Sequence, residues 1–179
     1  TPELCVPEDQ KNVSYETPWG IIPYIEYRHK IEFGEKEYEQ IDDYCRRRGI
    51  IWFVSCWDED SVDFIARFDP PCYKIGSASL TDKHLLLHIR SKNKPIILST
   101  GMSTRDQIYQ AVGILGEEDL ILLHCVATYP VPDHENNLRV INTLQEWFPG
   151  VPIGYSGHCR GTTLSVCTVA LSACVIERH

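Results

Sequence analysis

A chain of 179 residues, 43% of them hydrophobic and with a formal net charge of −8, is long enough for about one domain and carries no apolar segment of membrane-spanning length. The acidic balance argues against a general nucleic-acid surface, so an anionic ligand must be held by a few local basic groups or by backbone amides. Eight cysteines without a C-x-x-C pair, several inside apolar runs, read as buried free thiols of a reducing compartment; with no signal peptide visible, this points to the cytoplasm.

Residues 1–33 are rich in proline, aromatic and charged residues, as in Thr17-Pro-Trp-Gly-Ile-Ile-Pro-Tyr24, and hold no sustained period, which reads as a loop region. From Gly34 the pattern changes. Glu35 to Arg48 spaces Tyr38, Ile41 and Cys45 along one face, with acids leading, bases trailing and Gly49 placed to cap the carboxyl end. Short apolar runs follow at Ile50–Ser55, Cys72–Gly76, Pro95–Ser99, Leu120–His124, Val151–Tyr155 and Cys174–Arg178. Amphipathic stretches separate them, at Asp60–Phe68, Thr81–Ser91, Thr104–Leu115, Leu138–Phe148 and Thr162–Ser172. Strand and helix in alternation predict a parallel α/β sheet covered on both faces.

Two parallel architectures compete, an open doubly wound sheet and an eight-stranded barrel. The absence of G-x-G-x-x-G after the first strand weakens the dinucleotide-binding form of the open sheet, and six strands are too few to close a barrel unless two lie elsewhere. The chain opens on Thr1 without an initiator methionine and stops on His179 directly after a strand-like run, which reads as a segment of something longer.

The polar residues gather after the carboxyl ends of the predicted strands, where both architectures bind ligands. His158 and His179 each stand where an apolar run breaks off, and histidines so placed can offer a neutral ring nitrogen to one divalent metal. Lys74 lies inside an apolar run, and a lysine buried without an anionic partner is too costly to stay charged. A bound phosphate and an internal ion pair with Glu177 are both open readings. Gly76-Ser77, Ser99-Thr100-Gly101 and Tyr155-Ser156-Gly157 put small hydroxyl residues and glycine at strand ends, where backbone amides suit a phosphate or carboxylate. Gly154-Tyr-Ser-Gly-His158 fails the G-x-S-x-G spacing of a serine hydrolase. His124-Cys125 is a poor thiol–imidazole pair, because neighbours on a strand face opposite ways.

Tyr73-Lys-Ile-Gly-Ser77, Lys94 to Thr104, Leu123-His-Cys125 with Tyr129-Pro130, Asn137-Leu-Arg139, Ile153 to His158 and Val169-Ala-Leu171 with Ile176-Glu-Arg-His179 together resemble the N-acetylneuraminate (sialic acid) synthase family of phosphoenolpyruvate-dependent nonulosonic acid synthases. The resemblance runs from near Gly34 to the last residue. It implies an incomplete (β/α)8 TIM-type barrel over residues 34–179, with strands three to eight present, residues 1–33 following a missing second strand, and the family's C-terminal antifreeze-like domain absent.

The resemblance implies a transferase that condenses phosphoenolpyruvate with N-acetylmannosamine or its 6-phosphate to give a sialic acid and phosphate. Related readings are a nonulosonic acid or spore-coat polysaccharide synthase, or a non-catalytic barrel relative that only binds. Lys74, His158 and His179 are the implied catalytic residues; Lys74, Ser77, Ser99 and Ser156 hold phosphoenolpyruvate; Tyr129 and Ser79 line the sugar site; and His158 and His179 ligate Mn²⁺ or Mg²⁺. Departures from the family pattern stand at Ser79, where a glutamate is frequent, at Ala127, where asparagine or serine is, and at Cys56, where threonine is. The implied partners are the two small-molecule substrates, with a homodimer for the full-length protein, no nucleic acid and no membrane, and the isolated 179-residue piece is expected to be inactive.

Overall fold

A computed structural model describes residues 2–179. The chain forms two compact units, residues 2–52 with Trp57–Pro70, and Phe53–Cys56 with Pro71–His179.

The first unit holds α1 (Pro2–Cys5), the hairpin strands β1 (Ser14–Thr17) and β2 (Gly20–Pro23), then α2 (Tyr24–Ile31), α3 (Glu35–Arg48) and α4 (Glu59–Ala66). Residues 2–33 are thus not the loop that their aperiodic sequence suggests. Their elements are too short for a period to register, and local devices form them instead. Thr17 Oγ1 donates to Gly20 O at 2.7 Å across the hairpin turn, and Gly20 takes a φ of 100°. The rings of Tyr15, Tyr24 and Tyr27 gather behind it, with centroids 5.0 to 6.0 Å apart.

Helix α3 is capped as its sequence predicts. The Glu37 carboxylate accepts from Gly34 N at 2.9 Å, and Gly49 ends the helix in the left-handed region at φ 65°. Its half-buried face carries Tyr38, whose ring lies 5.3 to 6.3 Å from those of Phe33, Trp52, Phe64 and Phe68. Asp58 caps α4 by accepting from Ser61 N at 2.7 Å.

Among the described residues the second unit is built on a five-stranded sheet, β3 (Tyr73–Ile75), β4 (Ile96–Ser99), β5 (Leu120–Cys125), β6 (Ile153–Gly157) and β7 (Ile176–Arg178). Every neighbouring pair is parallel, and spatial order follows chain order without a reversal. A doubly wound sheet must reverse its order at a switch point, so this sheet winds in one direction, as a barrel does.

The sequence suggests a further strand over Ile50–Ser55. The structure forms none there beyond a single bridge from Ser55 to Lys74, and Ile50, Ile51 and Phe53 are exposed. Apolar content favours a strand, but only a paired neighbour makes one.

Between the strands lie α5 (Lys83–Arg90), α6 (Arg105–Leu115), α7 (Val140–Trp147) and α8 (Thr163–Ala170), each inside its predicted stretch. Asp82 caps α5 by accepting from Leu85 N at 3.1 Å. Thr104 and Gln107 form a reciprocal capping box at the start of α6, with bonds of 2.8 and 3.3 Å.

Alternation divides the strands cleanly. Tyr73, Ile75, Ile96, Leu98, Leu120, Leu122, Ile153 and Tyr155 form one fully buried face together with Leu85, Leu86, Ile89, Ile141 and Leu144 of the helices. Burying each such aliphatic side chain stabilises the fold by roughly 1.5–3 kcal/mol. The other face carries Lys74, Ser99, Cys125, Ser156 and Glu177, brought level by the registers Ser99↔Leu123, Cys125↔Ser156 and Ser156↔Glu177.

All eight cysteines are free, but only Cys56, Cys125 and Cys159 are buried. Cys167 and Cys174 are exposed, which corrects the expectation of uniformly buried thiols. Among the described residues no helix is long and apolar enough to cross a membrane.

Candidate active site

Lys74 on β3 is 5% exposed, and its ammonium donates to Ser99 Oγ at 2.9 Å and to Ile75 O at 3.3 Å, with Glu177 Oε2 at 3.4 Å. The buried lysine therefore has a carboxylate partner within the fold. Strands β3 and β7 are the two edges of the sheet, so this pair spans the concave face. A flat sheet would separate them by four spacings, about 19 Å, beyond the reach of the two side chains. The sheet is curled, with its polar face inside the curl.

Glu177 is the hub. Its Oε1 accepts from Ser156 Oγ at 2.6 Å and from His179 Nε2 at 3.1 Å. Burial alone would raise its carboxyl, but the Ser156 bond, the Lys74 charge and His179 outweigh that and hold it below the ordinary value of 4.5. With Nε2 of His179 donating to a carboxylate, Nδ1 accepts from the Tyr129 hydroxyl at 3.0 Å.

Tyr129 packs flat on His158, with centroids 3.7 Å apart and planes at 23°, and meets His179 edge-on. The two histidine rings are 4.5 Å apart and perpendicular. His158 Nδ1 is buried beside the backbone of Val126 and Thr128, while its Nε2 lies 3.6 Å from Cys125 Sγ. Burial, and then the neighbouring His179, lower the His158 imidazole from its ordinary value of 6.5 against the backbone of Val126 and Thr128, which favours its neutral form. An imidazole whose neutral form is favoured can offer one ring nitrogen to a metal while the other faces the backbone. Among the described residues, however, no group of three or more His, Cys, Asp or Glu is placed to hold a metal ion. The protein therefore offers an imidazole pair rather than a closed cage.

The remaining candidates divide. Ser77 Oγ accepts from Gly101 N at 3.0 Å and so ties the turn after β3 to the turn after β4. Gly101 is needed there, since a Cβ would sit 2.8 Å from that same oxygen. Ser79 is buried in the turn Ser77–Ser79 that follows β3.

His124 points to the helix side, its Nε2 donating to Asn136 O at 2.6 Å, while Cys125 points inward. Burial pushes the Cys125 thiol up from 9.0, which keeps it protonated and inert as a nucleophile. Two members of the site escape pattern reading as functional groups. Glu177 is legible only as a structural partner for Lys74, and Arg178, which binds the backbone of the loop after His158, gives no sequence signal beyond its place between them.

The open cleft beside the rings is lined by Tyr129, Pro130, His158, Arg160, Arg178 and His179. A singly wound parallel sheet with a buried lysine, hydroxyl groups and paired histidines at its carboxyl ends defines a barrel-type α/β protein whose polar groups gather at one rim. The chain belongs to the NeuB family, whose profile matches residues 1–179.

It is 37% identical over 164 residues to the N-acetylneuraminate-9-phosphate synthase of Mus musculus, a match covering 90% of this chain and 45% of that protein. It is 32% identical over 182 residues to the N,N'-diacetyllegionaminic acid synthase of Campylobacter jejuni, covering 98% of this chain and 54% of the relative. The crystal structure of an N-acetylneuraminic acid (sialic acid) synthetase from Leptospira borgpetersenii in complex with citrate superposes with a TM-score of 0.82 at 29% identity, covering 87% of this chain and 55% of that one. The chain spans about half the length of the curated relatives it matches.

Proposed function

We propose that this chain carries part of the active site of a phosphoenolpyruvate-dependent synthase of nine-carbon sugar acids, and that its five strands belong to a closed (β/α)8 barrel. The carrying observation is the concave-face cluster in which Lys74, Ser99, Ser156, Glu177, His179, Tyr129 and His158 are joined by successive close contacts. The proposed reaction joins the methylene carbon of phosphoenolpyruvate to the aldehyde carbon of N-acetylmannosamine or its 6-phosphate. The aldehyde oxygen becomes a hydroxyl, water adds at the former enol carbon, and the phosphate leaves with its bridging oxygen.

Lys74 and Ser99 supply a fixed cationic donor pair for the phosphate or carboxylate of that trianion, and Ser77 braces the turns that flank it. Ser156 and Glu177 orient His179, while the Tyr129 ring and hydroxyl, 60% exposed in the cleft, meet the sugar. His158 and His179 would hold Mn²⁺ or Mg²⁺, which when bound supplies Lewis-acid polarisation of the aldehyde oxygen. The two imidazoles, with ring centroids 4.5 Å apart beside the open cleft, fit that role.

Relatives that bear the names of sialic, legionaminic and pseudaminic acid synthases support the class and leave the amino sugar open. A cytoplasmic setting and a homodimeric full-length protein complete the proposal. Phosphate release from phosphoenolpyruvate by the full-length protein, assayed against a panel of N-acyl amino sugars, tests it. Release with one of them supports the reading, and release with none, from folded protein, rejects it in favour of a relative that only binds.

A further inference from the structure

His158 and His179 are separated in the chain by all of α8 and its flanking turns, so their mutual position depends on non-covalent ties. The β6–β7 ladder is the obvious tie, but its register ends at Gly157↔Arg178, one residue short of both histidines. Beyond that point something else must hold the His158 loop.

Arg178 spans the gap. Its Nη2 donates to Cys159 O at 2.8 Å and to Gly161 O at 2.7 Å, and its Nη1 lies 3.3 Å from Cys159 Sγ. A planar guanidinium can satisfy acceptors spread along a loop at once, which a single ammonium cannot do with the same geometry. The path across β6 exists because residue 157 is glycine. A Cβ there would sit 2.6 Å from Arg178 Nη1 and 2.7 Å from the Tyr155 ring. From the other side Val131 N donates to His158 O at 3.2 Å, and Tyr129 stacks on the imidazole. The loop is thus gripped from both sides, and one grip comes from the residue that immediately precedes His179.

We propose that Arg178 is a positioning residue that locks the His158 loop to β7 and so holds the two imidazoles together as a preformed ligand pair, with Gly157 conserving the space the lock needs. This rests on the reading of His158 and His179 as metal-holding residues. Arg178 acts through the backbone of Cys159 and Gly161.

The test uses the full-length protein and the variants Arg178→Ala, Arg178→Lys and Gly157→Ala, with circular dichroism to identify those that keep the fold. Mn²⁺ affinity is measured by calorimetric titration, and backbone hydrogen exchange is followed over residues 158–162. The expected result is a loss of affinity of roughly 10- to 100-fold in folded variants, the range for groups that orient metal ligands, together with faster exchange of that loop. Arg178→Lys keeps the charge and should still lose affinity, and Gly157→Ala should do so with Arg178 intact. Wild-type affinity and unchanged loop exchange in any folded Arg178 variant would overturn the proposal. Should the wild-type protein take up no Mn²⁺, the metal reading fails. The lock is then judged by exchange alone, where accelerated exchange in the variants supports it and unchanged exchange overturns it.

Discussion

Lys74 and Glu177 stand on the two edge strands of a five-stranded sheet, yet the ammonium and carboxylate lie 3.4 Å apart. Only a curled sheet permits that, so one ion pair reports both the architecture and the polarity of its inner face. It also reconciles the two readings of a lysine in an apolar run. In the structure the lysine has an internal carboxylate partner, and its Ser99 bond leaves it at the same rim as the histidines.

Glu177→Gln removes the charge opposite a lysine that is 5% exposed. Stability should fall by about 1–3 kcal/mol, the cost of weakening hydrogen bonds to a charged group that is largely buried. Urea unfolding measures it. The double variant with Lys74→Met should recover part of the loss, and simple additivity of the two losses would show that the pair is not coupled.

Gly154→Ala probes how closely β6 and β7 approach. A Cβ at 154 would fall 2.5 Å from Val175 O and 2.6 Å from a Leu123 methyl carbon, so strands must shift or side chains leave their rotamers. A loss of about 1–3 kcal/mol is expected in denaturant melts. An unchanged midpoint would contradict the close approach of Val175 to β6.

His124 makes acid stability a readout of the helix-facing side of β5. Burial is the larger influence and lowers its pKa from 6.5, against the opposing bond to Asn136 O. A depressed folded-state value means that its contribution is present above about pH 6.5 and is lost as pH falls through the folded value. Urea midpoints taken between pH 7.5 and 5 should therefore decline, and His124→Gln should flatten the slope. A slope unchanged by that substitution would place the acid sensitivity elsewhere.

What could be read beforehand follows the range of the forces involved. The helices α4 to α8 and the strands β3 to β7 fall at or within a residue or two of their predicted stretches, because apolar spacing and capping residues such as Asp82 and Thr104 act locally. Strand alternation likewise put Lys74 inward and separated His124 from Cys125. The run Ile50–Ser55 forms a single bridge and no strand, because a strand needs a partner that composition does not reveal. The hairpin of β1 and β2 is not legible in the sequence because four-residue strands carry too little period. Glu177 as a hub and Arg178 as a brace depend on contacts to residues about twenty positions away, which only the folded register creates.

His158→Ala and His179→Ala should each remove most Mn²⁺ binding while leaving the apolar face of the sheet intact. Since burial and the neighbouring His179 hold His158 below 6.5, proton competition at that ring should set in only at lower pH than for free imidazole. Calorimetric titration across pH 5 to 8 checks both points, and pH-independent affinity would speak against histidine ligation.

The most direct test of the central claim is phosphate release from phosphoenolpyruvate by the full-length protein, with N-acetylmannosamine and related N-acyl amino sugars, before and after chelation and on return of Mn²⁺. The concave-face site predicts release that needs an amino sugar, stops on chelation, returns with the metal and is abolished in Lys74→Met. Release that persists without metal or without Lys74, or no release with any sugar, would contradict it.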